Sequence, residues 1–204
     1  DPSRSETMRK VPALLLISLL IVTFTEVTAP QSRPALNSAA VASMDRKLQR
    51  LETNGASAHP DQTPTEFTEE EVNSYVASGK IQLPSGVQSV KFQGEPGVVI
   101  ANTRVDFDQL KAGRNSSNPL LGIFTGIHDV VVQAHAKGSG GQGIVNVDTV
   151  SLDGVEIPRF VLQSFAEKYL RPKYPNIGLD SRFVLPDRID TATVGQHKLT
   201  VTQK

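Results

Sequence analysis

Cysteine and tryptophan are both missing from the 204 residues of the chain. The first absence removes disulfides, thiolate nucleophiles, cysteine-held zinc and the lipidated cysteine of a lipoprotein anchor. Charge of one sign is also lacking. The 21 basic and 21 acidic residues cancel, so the one-sided field that draws a protein to DNA or RNA is not there, and no nucleic-acid partner is expected. Aromatic residues make up only 5% of the chain, too few for an aromatic belt at a lipid-head surface. Long apolar runs are scarce as well: the longest, Val11 to Phe24, has about 14 residues and is closed by Glu26, against the ~20 that a spanning helix needs.

That run nevertheless follows Met8-Arg9-Lys10, and a short basic region leading into a short apolar one is the layout of an export signal. Residues 1–29 are therefore read as the signal, with 1–7 upstream of the true start. The expected location is periplasmic or secreted, and an uncleaved membrane anchor is the alternative. Val27-Thr28-Ala29 supplies a small-x-small cleavage site, but Pro30 opposes cutting there, and Ala39, Ala40 and Ala42 offer later ones.

Residues 30–64 read as a helical tether and linker. Leu36, Ala40, Met44, Leu48 and Leu51 form one narrow apolar stripe at helical spacing, which fits either docking or tethering. Asn54 to Pro64 then collects small and turn-forming residues without period. The folded domain is placed at 65–204. It opens with Phe67-Thr-Glu-Glu-Glu-Val-Asn-Ser-Tyr-Val-Ala77, where Thr68 and Glu71 have the spacing of a capping box and Phe67 can staple onto Val72. Three consecutive glutamates invite a metal, yet neighbouring helical positions point about 100° apart and cannot converge on one ion. No metal and no cofactor are expected.

Period-two patterning follows in Val87 to Gln93, Val98 to Phe107, Asp129 to Ala136 and Ile144 to Val150, which predicts an antiparallel sheet. The last two stretches flank Gly138, Gly140 and Gly143, a G-x-G-x-x-G. A dinucleotide site would need a helix to open just after the glycines. Strand-like flanks predict a hairpin instead. Pro158 starts a second helix whose broad apolar face is Val161, Leu162, Phe165 and Tyr169, and strands over Phe183 to Ile189 and Thr191 to Thr202 close the chain. His128 and His135 lie seven residues apart on one strand and so face opposite sides. His128, Asp129 and Ser139 lack the G-x-S-x-G context of a hydrolase nucleophile. No catalytic residue is assigned, and no enzyme is expected.

Three segments carry a resemblance. Thr68-Glu-Glu-Glu-Val-Asn-Ser-Tyr-Val76, Val150-Ser-Leu-Asp-Gly-Val-Glu-Ile-Pro-Arg-Phe-Val-Leu162 and Leu185-Pro186 together resemble small bacterial envelope proteins of the tubular lipid-binding (TULIP-like) type, related to bactericidal/permeability-increasing protein, over residues 65 to 202. The resemblance implies an α+β fold in which a curved antiparallel β-sheet wraps around a main α-helix as a half module. It also implies an apolar groove for lipid acyl chains and a role in lipid binding or transport. An envelope protein partner and peripheral membrane contact are the other contacts it suggests, and a scaffold or interaction module without ligand is the alternative function. The residues expected to line the groove are Val72, Tyr75, Val76, Phe92, Val99, Val130, Val132, Val161, Leu162 and Phe165. Val98 to Ile100 and Val130 to Val132 are apolar on both alternations, as strands covered on both faces are.

Overall fold

A computed structural model describes residues 37–204 except Asn115, Asn176 and Ile177. The export-signal expectation on residues 1–29 lies outside the described residues. Among those described, no helix is long and apolar enough to cross a membrane.

Among the described residues, nine antiparallel strands form one open sheet, accompanied by four helices, so the architecture is α+β. Helix α1 (Ser38–Gly55) begins at Asn37, whose side chain accepts from the Ala40 amide. Its stripe docks: Met44, Leu48 and Leu51 are buried in the same core as Phe67, Val72, Tyr75, Val76, Ile189 and Val201. The folded unit therefore extends back from Thr65 to Asn37, and the later cleavage alternatives at Ala39 to Ala42 fall inside a helix whose Ala40 is buried. Polar ties also hold the helix down, among them three that reach α2 and the end of β9. Lys47 Nζ donates to Glu71 Oε1 at 2.7 Å, Asn54 Nδ2 donates to Gln203 Oε1 at 2.8 Å, and Gln203 Nε2 donates to the Leu51 carbonyl at 2.7 Å.

Strand β1 (Thr65–Thr68) runs straight into helix α2 (Glu69–Ala77), and the capping box is formed in both directions between Thr68 and Glu71. Strands β2 (Val87–Glu95) and β3 (Val98–Asp106) make a hairpin, and β3 pairs with the long strand β4 (Ile127–Ser139). Between β3 and β4 lie the short helix α3 (Phe107–Leu110) and a 3-10 turn at Pro119–Leu121. Strand β5 (Gln142–Leu152) pairs with the other edge of β4. Beyond β5 come β6 (Val155–Glu156), α4 (Arg159–Phe165), a π-helical turn at Ala166–Leu170, and strands β7 (Asp180–Val184), β8 (Ile189–Gly195) and β9 (Lys198–Gln203).

Two local arrangements shape the sheet. Past the end of β3, β8 takes over the free edge of β4, with Gly138 opposite Ala192. The β2–β3 turn in turn touches the β8–β9 turn: the Gly97 amide donates to the Val194 carbonyl at 2.9 Å and the His197 amide to the Gly94 carbonyl at 2.8 Å. The glycine motif is the β4–β5 hairpin that its flanks predicted. Gly140 and Gly141 have φ of +61° and +75°, the left-handed backbone that a two-residue hairpin turn requires. Gly138 and Gly143 serve close approach. A Cβ on Gly138 would lie 2.7 Å from the Ala192 Cβ, and one on Gly143 would lie 2.4 Å from the Phe183 ring.

Candidate functional site

The three glutamates of α2 illustrate how this fold uses its charges. Glu69 accepts from the Gly94 amide and from His197 Nδ1, Glu70 accepts from Asn37, and Glu71 accepts from Lys47, Ser43 and the Thr68 amide. They point three ways. Burial alone would raise the Glu71 carboxyl, but the hydrogen bonds from Lys47, Ser43 and Thr68 outweigh it and hold the group below its usual range. Burial likewise opposes, and the bonds from His197 and Gly94 overcome, the same shift at Glu69. Asn73, from the same motif, donates to the Phe92 carbonyl at 2.8 Å and accepts from the Phe92 amide at 2.7 Å, completing the edge of β2 as a neighbouring strand would. No cluster of potential metal ligands occurs among the described residues. His128 and Ser139 stand at opposite ends of β4, roughly 36 Å apart at ~3.3 Å per residue, so they form no catalytic set.

A different feature dominates the interior. Alternate residues of four neighbouring strands face inward: Val87, Val90 and Phe92 of β2, Val99, Ala101, Thr103 and Val105 of β3, Val130, Val132, Ala134 and Ala136 of β4, and Val145, Val147, Val150 and Leu152 of β5. A bulge at Asp148 keeps β5 in phase, since Gln133 pairs with Thr149 but Ala134 with Val147. Thr103 is the polar exception, and its hydroxyl is satisfied by donating to the Val130 carbonyl at 3.0 Å. The wall is thus chemically apolar throughout.

Helices cover this face unevenly. At one end α2 seals the first core with Val72, Tyr75 and Val76. At the other, α3, α4 and the loop before β4 build a second core around four rings: Phe165 lies 4.3 Å from Phe124, 5.1 Å from Tyr169 and 5.6 Å from Phe107, measured between centroids. Along the groove the sheet presents three short side chains, Ala101, Ala134 and Ala136, of which Ala101 and Ala136 also pack against the first core. The result is a groove of about 240 Å³, closed on the helical side by Leu162, Phe165, Ala166 and Leu170. The π turn shapes this wall: the Arg171 amide bonds to the Ala166 carbonyl five residues back, and both Ala166 and Leu170 face the groove. Val90, Val99, Ala101, Val132, Val145, Val150, Leu162 and Leu170 line it while only half-buried.

Of the residues expected at the groove, Phe92, Val99, Val130, Val132, Leu162 and Phe165 line it. Val72, Tyr75 and Val76 belong to the first core, and Val161 to the second. Helical periodicity marked these four as buried but could not say against what. Val161 and Leu162 differ by about 100° around the helix axis, enough to put one in the core and the other on the groove. The alanines of β3 and β4, which create the space, were not singled out; their signal was small residues on the inward alternation of otherwise valine-rich strands.

His128 and His135 do face opposite sides. His128 lies on the inward alternation with its ring 6.0 Å from Phe107, its Nδ1 2.6 Å from Asp153 Oδ2 and its Nε2 2.7 Å from the Thr125 carbonyl. The hydrogen bond to Asp153, aided by the one to Thr125 and opposed by burial, raises its pKa above the ordinary 6.5. His135 lies on the outer face, 2.6 Å from Asp148.

Compared with protein-family models, characterised proteins and solved structures, the chain matches none.

Proposed function

We propose that this is an exported envelope protein that binds or transfers lipid, holding part of an acyl chain in the groove between the sheet and α4. The observation that carries the proposal is the unfilled apolar gap: half-buried valines and alanines face a space of about 240 Å³ in which a single, internally satisfied threonine interrupts the apolar strand wall. Protein interiors are ordinarily packed to crystal-like density, and a preformed apolar pocket is the usual form of a small-molecule site. At roughly 30 Å³ per water-sized group, the gap takes on the order of eight methylenes. Burying these gains about 6 kcal/mol relative to water, at ~0.8 kcal/mol each, whereas transfer from a bilayer is close to neutral. A chain held this way can exchange with a membrane and is retained in water. The wall offers no charged partner, so a polar head stays outside.

An antiparallel sheet with one apolar face against helices supports the TULIP-like half module as the form of this proposal, and Met8 to Phe24 support export. The alternative of a scaffold without ligand would leave the gap unused. The test is a pair of tryptophan substitutions on β4. Val132→Trp fills the groove and should abolish binding of a fluorescent fatty acid with little change in melting temperature. Val131→Trp, on the opposite face, should leave binding intact. Equal binding by both variants and the wild type would remove the acyl-chain reading and favour the scaffold one.

A further inference from the structure

His128 bridges two segments at one end of the groove, and the chemistry of its two bonds makes the bridge depend on a proton. Its Nδ1 faces the Asp153 carboxylate at 2.6 Å and its Nε2 faces the Thr125 carbonyl at 2.7 Å. A carboxylate and a carbonyl only accept, so both bonds form only when both ring nitrogens carry hydrogen, that is, in the imidazolium. A neutral ring has a single N–H. With that hydrogen on Nδ1, beside the carboxylate, the Nε2 lone pair meets the Thr125 oxygen and the bond becomes a repulsion. The two residues so joined each follow a groove residue: Thr125 follows Phe124 on the connection into β4, and Asp153 follows Leu152 at the end of β5. His128 itself stands opposite Val105, and its ring lies 6.0 Å from that of Phe107, both of which also line the groove.

We propose that His128 is a proton-operated clasp on the groove: the imidazolium ties the connection to the turn after β5 and retains the acyl chain, and loss of its proton frees Thr125 and Phe124 and lets the chain leave. The clasp rests on the acyl-chain reading of the groove. The release is local. Gly126, with φ of +72°, is pinned just beyond Thr125: its amide donates to Asp108 Oδ2 at 3.0 Å and its carbonyl accepts from the Phe107 amide at 2.8 Å. Motion is thereby confined to the residues before it, where the Phe124 ring lies 4.3 Å from Phe165 of the helical wall. The charges around the ring come from three elements. Asp129, its neighbour on β4, is engaged by Arg104 of β3 at 2.8 Å. Asp106, at the end of β3, accepts from the Asp108 and Gln109 amides, and Asp108 of α3 is paired with Lys111. The connection from Gly122 to Gly126 carries no titratable side chain. Asp153 is therefore the partner that sets the ring's charge: their hydrogen bond raises the His128 pKa and lowers that of Asp153, so the carboxylate stays ionised while the ring titrates.

Asp153→Asn reverses the logic. The Asp129 amide donates to Asp153 Oδ1 at 2.9 Å. An amide oxygen can keep that bond, which leaves the amide nitrogen to donate to a neutral Nδ1 while Nε2–H serves Thr125. In this variant the neutral ring closes the clasp and the imidazolium opens it. The experiment titrates the full chain with a monoacylglycerol that carries a fluorophore on its acyl chain, a probe with no charge of its own to titrate, below pH 6.5 and well above the raised midpoint. The wild type should bind about fivefold more tightly on the acid side, the low end of ordinary coupling between two sites. Asp153→Asn should bind more tightly on the alkaline side, and His128→Gln, with no proton to lose, equally on both. Since coupling is reciprocal, saturating probe should raise the His128 midpoint in a proton NMR titration of the wild type by about 0.7 pH unit, the logarithm of that factor. Equal wild-type binding on both sides, or a pH dependence that persists unchanged in His128→Gln, would overturn the clasp and leave the groove reading standing. No binding by the wild type at either pH would overturn both.

Discussion

Replacing Phe165 tests the second core and the groove wall together. The side chain is 6% exposed and its ring meets those of Phe107, Phe124 and Tyr169. Removing such a ring costs about 3–5 kcal/mol by the usual cavity and transfer terms. Phe165→Asp adds a carboxylate with no cation among the ring neighbours to pair with it, so the loss should reach the upper part of that range or exceed it. Phe165→Leu separates packing from ring geometry. It keeps most of the apolar volume and forfeits three aromatic pairings at ~0.5–1.5 kcal/mol each, which sums to about 1.5–4.5 kcal/mol. A domain of this size has ~5–15 kcal/mol to lose, and each kcal/mol moves the midpoint by roughly 2–4 °C. Urea titration followed by circular dichroism should show the midpoint falling in the order wild type, Phe165→Leu, Phe165→Asp, with an unchanged slope for the leucine variant. Wild-type midpoints in both variants would refute the placement of Phe165 and, with it, the helical wall of the groove.

Lys47→Met leaves the largely buried Glu71 carboxylate without its cation and should cost about 1–3 kcal/mol, measured by thermal melting at neutral pH. The Glu71 carboxyl is held below its ordinary 4.5, so its contribution is complete above that value and disappears as pH falls through the lowered one; the acid limb of the stability profile should therefore move to higher pH in Lys47→Met, and an unmoved limb would count against the pairing. His128 shifts in the other sense. Its contribution is complete below the ordinary 6.5 and is lost as pH rises through the raised value, so a proton NMR titration should give a midpoint above 6.5 that drops in Asp153→Asn, and a wild-type midpoint at or below 6.5 would contradict the geometry.

Features set by neighbouring residues were legible in the sequence. The capping box at Thr68 and Glu71 is local chemistry, and it forms as read. The hairpin at Gly140 and Gly141 follows from strand-like flanks. What escaped depends on partners far along the chain. Gly138 and Gly143 are required because Ala192 and Phe183 pack onto them, and nothing near residue 140 announces that. The stripe of α1 is compatible with a tether until Glu71 and Gln203, 24 and 152 residues from their partners Lys47 and Leu51, fix it in place. The inward face of the sheet could be read from alternation, but the gap over it could not. An alanine within a strand says only that a side chain is short. Whether the opposite layer reaches down to fill the space depends on where α2 and α4 cross the sheet, and their amphipathic patterns record burial without naming the neighbour.

The most direct measurement is mass spectrometry of organic extracts from the full chain, purified without detergent from an envelope-containing expression host. The account predicts near-stoichiometric acyl lipid in the wild type and its loss in Val132→Trp. Wild-type protein that is folded by circular dichroism and carries no acyl lipid would contradict it.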